Sequence, residues 1–178
     1  MKCLFLFIDK VINKFLWLYR NYIFFARTGY RASLVGKMTL INRNIICGKN
    51  VTIYPDVMFF GDGRIEIGDN VDIGNGTIIY ASKSGGVTIG SNTMIAAQCY
   101  IIDMDHGIKK NVLMREQPNT VSPIQIGSDV WIAAGAKILK GSCLEDGCVI
   151  GAQSVVKGRI PADAIAVGVP ARVIRYRG

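Results

Sequence analysis

His106 is the only histidine among 178 residues, and it ends the run Asp103-Met104-Asp105-His106. Histidine titrates near neutral pH without a large shift, so this imidazole is the natural general base for taking a proton from a hydroxyl. Asp103 and Asp105 flank it. Either carboxylate could orient the imidazole or bind an acceptor hydroxyl, and either could equally be a turn residue. A long segment, residues 107–125, follows directly and breaks the pattern around it. A loop of that length in a compact chain usually serves a function. Within it, Arg115 and Gln117 are candidates to touch a substrate. One histidine is too few for a three-histidine zinc site, so no metal is expected to take part in catalysis.

The elements that must hold His106 are written in a six-residue period. Stepping by six gives Val35, Ile41, Cys47, Ile53 and Phe59, then Ile67, Ile73 and Ile79, then Ile89, Ile95 and Ile101. After the long segment come Ile126, Ile132, Ile138, Leu144, Ile150 and Val156. Of these 17 positions, 16 are Val, Ile, Leu or Phe, so chance spacing is a poor explanation. The fifth place of each hexapeptide is small or β-branched, apart from Gly63, Lys83 and Asp105 before interruptions. Gly recurs in the second place, where it predicts a turn with positive φ. A period of six matches neither an α-helix nor a hairpin. It predicts a coil with three flat faces, place one pointing inward, and parallel strands stacked coil on coil.

Composition sets the remaining bounds. Half of the residues are hydrophobic and the net charge is +8, from 21 Lys+Arg against 13 Asp+Glu. Such a chain folds, and it favours anionic partners. Aromatic residues do not interleave with the basic ones in a nucleic-acid module. The cysteines, Cys3, Cys47, Cys99, Cys143 and Cys148, are odd in number and form no CxxC pair. They are expected to be reduced and mostly buried. No run approaches the roughly 20 apolar residues that span a bilayer, so the expected location is cytoplasmic or peripheral on the inner membrane face.

Residues 1–34 form a separate segment, set apart from a repeat domain at 35–178 that includes a tail at 162–178. Apolar residues at Leu4, Ile8, Val11, Phe15, Tyr19 and Ile23 have helical spacing, with Lys and Arg between them. The helix is expected to cap the first coil, to rest on an anionic membrane, or both.

The repeat, and above all the stretch Ile126–Arg175, resembles the hexapeptide-repeat acyltransferases, closest to the maltose and galactoside and the polysaccharide O-acetyltransferases. The segment from Val87 to His106 resembles the one leading to their catalytic histidine. The resemblance implies an all-β, left-handed parallel β-helix with one protruding loop. It also implies direct acetyl transfer from acetyl-CoA to a sugar hydroxyl, with His106 as base. It implies a homotrimer with sites between subunits. Trp131, Ala133, Ala134 and Gly151 are then expected along the pantetheine arm, with Lys157, Arg159, Arg172 and Arg175 near the nucleotide. Trp131 is open between core and groove wall. The family's active-site Asn falls at Gly74 here, with Asn75 beside it as the substitute contact for substrate. The alternatives are an N-acyltransferase acting on an amino sugar and a β-helical scaffold without turnover.

Overall fold

The computed structural model describes residues 2–178, with the side chains of Ile8 and of every residue from Lys10 onward. One helix, α1 (Lys2–Thr28), precedes a β-solenoid of about seven coils. α1 contains no Gly or Pro and stops at Gly29, whose φ of 78° takes the left-handed conformation. The Gly29 N–H there closes on the Phe25 carbonyl at 2.7 Å, the usual way to satisfy a last turn.

Three parallel sheets form the faces of the prism. The first stacks Ser33–Leu34, Thr52–Ile53, Asp72–Ile73, Met94–Ile95, Trp131–Ile132, Val149–Ile150 and Ala164–Gly168. The second stacks Thr39–Leu40, Met58–Gly61, Ile78–Ala81, Tyr100–Ile102, Lys137–Ile138 and Val155–Val156. The third runs from Ile45–Cys47 through Ile124–Ile126 to Arg159–Ile160. Residues in one column face each other in register, as in Ile73↔Ile95↔Ile132↔Ile150. Place-one residues from Cys47 to Val156 are all buried, and most of place five is buried with them. The core is therefore a set of aliphatic ladders with Thr, Ser, Ala and Cys as spacers at the corners.

Two details depart from the sequence expectation. Val35 and Ile41 are 50% and 58% exposed. Leu34 and Leu40 take the inward place instead, opposite Ile53 and Phe59. The first coil holds one extra residue before Cys47, and a slip of one residue turns every side chain to the other face. Buried Asn42 accommodates the slip. Its amide donates to the Phe60 and Gly63 carbonyls, and its oxygen accepts the Asn44 N–H.

The second-place glycines are not at positive φ either. They are needed because the next coil lies against them. A Cβ on Gly74 would come within 2.5 Å of the Ala96 carbonyl carbon, and one on Gly90 equally close to that of Gly127. Positive φ falls in the fourth place, at Asn50, Asp56, Asn70, Asn92, Gln98, Asp129 and Gln153 and at glycines such as Gly76 and Gly135. Asn tolerates that conformation better than most residues. Asn50, Asn70 and Asn92 also join side chain to side chain at 3.1 and 2.9 Å, coil to coil.

The C-terminal segment is more than a tail. Ala171–Tyr176 folds back antiparallel on Ala164–Gly168 and finishes the first face. The Arg177 guanidinium fastens it to Asp129 and to the Gly147 carbonyl.

Candidate active site

His106 lies on the edge between the second and third faces. The strand Tyr100–Ile102 ends the second face, and Met104–Asp105 then leaves the prism to pair antiparallel with Thr120–Val121. That two-stranded ribbon is the base of the insertion. The chain rejoins the third face at Ile124, whose strand pairs with Val87–Ile89. His106 is the first residue past the outgoing ribbon strand and is exposed. No hydrogen bond ties its imidazole to any described residue, so both ring nitrogens are open to a ligand.

The two flanking aspartates have different surroundings. Asp103 is fully buried. Its carboxylate accepts the Ser82 N–H, the Ser82 hydroxyl and the Gly86 N–H at 2.7–2.9 Å. Those bonds hold the 82–86 turn and leave nothing directed at His106. The expectation that Asp103 orients the base or binds a hydroxyl is corrected: it anchors the ribbon from behind. Asp105 is exposed, and Lys140 Nζ lies 3.4 Å from its carboxylate. Lys140 also donates to the Thr120 hydroxyl, so one cation joins both ribbon strands to the coil beside them. Sequence reading missed Lys140. Its position six residues after Ala134, on the same edge as His106, was the available signal.

Gln117 is likewise corrected. It is buried, and its amide oxygen accepts the Lys109 N–H at 2.7 Å. Its amide N–H groups donate to the Lys109 and Val112 carbonyls. With all its donors spent inside the loop, Gln117 staples the insertion and does not face a substrate. Arg115 sits on the short 3-10 turn Met114–Glu116 and is exposed. The insertion is thus partly structured, not a bare loop.

The other expected residues are spread around the prism. Lys157 is exposed on the His106 edge, beyond Lys140. Ala133, Ala134 and Gly151 lie on the edge between the first and second faces, and exposed Asn75 shares that edge. Trp131 is 48% exposed on the outer side of the first face, between Met94 and Val149, so the core reading is excluded. Arg159 donates from Nε to Glu145 across the third face, and its side chain is otherwise exposed. That bond holds the Glu145 carboxyl below its ordinary range and raises the guanidinium. Arg172 and Arg175 are exposed on the returning C-terminal strand. An open groove of about 510 Å³ on the third face, lined by Gln125, Cys143, Glu145 and Ala162, does not include His106.

Residues 123–158 match the family model for the bacterial transferase hexapeptide (six repeats). The chain is 32% identical to the dTDP-4-amino-4,6-dideoxy-D-glucose acyltransferase of Escherichia coli, over 73% of this chain and 81% of that protein. It belongs to the hexapeptide-repeat acyltransferase family. Another relative in that family is the putative lipopolysaccharide biosynthesis O-acetyl transferase WbbJ of Escherichia coli K12. It is 36% identical over 65% of this chain and 62% of its own length. A probable acetyltransferase of Mycobacterium tuberculosis is longer still, and the chain spans 38% of it. Among solved structures, a mutant of AntD, an N-acyltransferase from Bacillus cereus, in complex with dTDP and coenzyme A superposes with a TM-score of 0.75. It is 23% identical and covers 83% of this chain and 82% of its own, a likeness of fold.

Proposed function

We propose that the chain transfers an acetyl group from acetyl-CoA to a hydroxyl of a sugar or polysaccharide precursor. The observation that carries this reading is His106: the one histidine, exposed, without a hydrogen-bonding partner among the described residues, and held beside a two-stranded ribbon at the root of the insertion. His106 takes the proton as the hydroxyl oxygen attacks the thioester carbonyl. The tetrahedral intermediate collapses, the carbon–sulfur bond breaks, and the imidazolium returns the proton to the leaving thiolate. An N–H donor facing the carbonyl oxygen would stabilise the charge that develops there. No covalent enzyme intermediate is needed.

A second chain is part of the reading. His106 and Lys157 share one edge, whereas Ala133, Ala134, Gly151 and Asn75 lie on another. Within one prism the second face separates these two edges. Packing the edges of neighbouring copies together joins them, which supports a homotrimer with three sites between subunits. A molar mass of one chain in solution would refute it. WbbJ's name supports a glycan hydroxyl as acceptor. The amino-sugar acyltransferase relative favours one second reading, transfer to an amine on a nucleotide sugar. Coenzyme A in the AntD complex supports an acyl-CoA donor for either.

The test is thiol release from acetyl-CoA with a panel of sugars and amino sugars, comparing wild type with His106→Ala. Loss of about 100-fold or more is expected for the variant, the usual contribution of a positioned base. Turnover that survives the substitution refutes the role of His106. Preference for an amine acceptor selects the second reading.

A further inference from the structure

The solenoid explains only part of α1. Its last turns are packed. Phe24 is buried, Asn21 accepts the Leu34 N–H at 3.2 Å, and Arg27 donates to the Leu40 carbonyl. From Ile8 to Tyr19, every described side chain is exposed. At 3.6 residues per turn, Val11, Phe15, Leu18, Tyr22 and Phe25 share one side of α1. Ile8, Ile12 and Tyr19 extend that side to about half of the circumference. Phe15, at its centre, is 69% exposed. A water-facing helix would show polar residues there, with the apolar sector turned inward. Here the solenoid packs against the other side.

The charges border this sector. Lys10 and Lys14 line one margin and Arg20 lies on the other, with Arg27 two turns further along. The helix sequence carries Lys2 as well, against a single acid, Asp9. Long cationic side chains at the rim of an apolar sector can reach phosphates while their stems stay in the apolar layer. Tyr19 and Tyr22 add aromatic rings of the kind that settle at headgroup level. No helix of the described residues is long and apolar enough to cross a membrane. We propose that the exposed apolar sector of α1 docks on the surface of an anionic lipid bilayer, with α1 lying in the interface. A second copy of the chain matches the surface less well. A helix–helix seam is narrower than this sector, and two such helices would bring like-charged rims together.

The proposal is independent of the acyl-transfer reading and is tested without it. The full chain is mixed with vesicles of phosphatidylcholine alone or with added phosphatidylglycerol, and binding is read by flotation. Binding to the anionic vesicles, weakened by salt, is expected. Lys10→Gln with Lys14→Gln should weaken it by roughly fivefold per cation removed. Phe15→Ser with Leu18→Ser should abolish it while leaving the circular dichroism and the thermal midpoint of the solenoid unchanged. Equal binding to neutral vesicles, or no binding to either, overturns the proposal. So does self-association in sedimentation velocity that the Phe15→Ser, Leu18→Ser variant removes, because a second copy would then cover the sector.

Discussion

Asp103 shows how a residue next to a reactive group can matter without touching it. Removing its carboxylate leaves the buried Gly86 and Ser82 N–H groups unpaired, each costing about 1–3 kcal/mol. Asp103→Ala should therefore lower unfolding stability by about 2–5 kcal/mol, seen as a lower denaturant midpoint. Activity should fall as well, because Asp103 fixes the residue from which the ribbon bearing His106 departs. Unchanged stability would mean that the 82–86 turn needs no anchor. The sequence set His106 and its two aspartates side by side, but it could not say which carboxylate faces outward. That distinction depends on burial, and a period-six pattern loses its meaning where the coil is interrupted. The fourth-place Asn and Gly column is visible in the sequence, but the second-place glycines mask it, since a steric need and a positive φ leave the same residue behind.

At the level of elements, the insertion behaves as one clamped unit. The ribbon is held by Lys140, and the loop beyond it by the buried Gln117 amide. Gln117→Ala removes three hydrogen bonds within that loop and should leave the solenoid intact. The expected result is faster amide hydrogen exchange confined to residues 107–119, with a normal thermal midpoint. A global loss of protection would show instead that the loop holds up the coils. The three-faced coil was legible because Ile and Val recur in unbroken columns. The inward place of the first coil was not, since one extra residue before Cys47 shifts Leu34 and Leu40 into register while leaving the apolar spacing at Val35 and Ile41 plausible. Helical spacing located α1, but it could not reveal that the apolar side would face away from the core.

Across the whole molecule, buried thiols join stability to pH. Burial pushes Cys47 and Cys148 from 9.0 to about 12. Both keep their protons in the native chain at a pH where the unfolded chain has lost them. Unfolding then releases protons, so this stabilisation is complete below about pH 9 and is lost as pH rises toward 12. Thermal midpoints should fall more steeply above pH 9 in the wild type than in a Cys47→Ala, Cys148→Ala variant. Parallel slopes would show that other groups govern the alkaline limit.

The stacking of coils has a further consequence. Neighbouring strands lie about 4.8 Å apart, so the prism is a ruler graduated in coils. The inward ladder Leu34–Ile53–Ile73–Ile95 puts the coil bearing His106 three steps from the coil on which α1 rests, or about 14 Å along the axis. With α1 anchored at a surface, that height would select an acceptor hydroxyl held off the surface rather than one at its level. One additional coil of 18 residues, the spacing from Ile132 to Ile150, would lift His106 by a further ~4.8 Å without changing any residue around it. Reach would then be set by counting turns, and specificity for distance could evolve separately from specificity for chemistry.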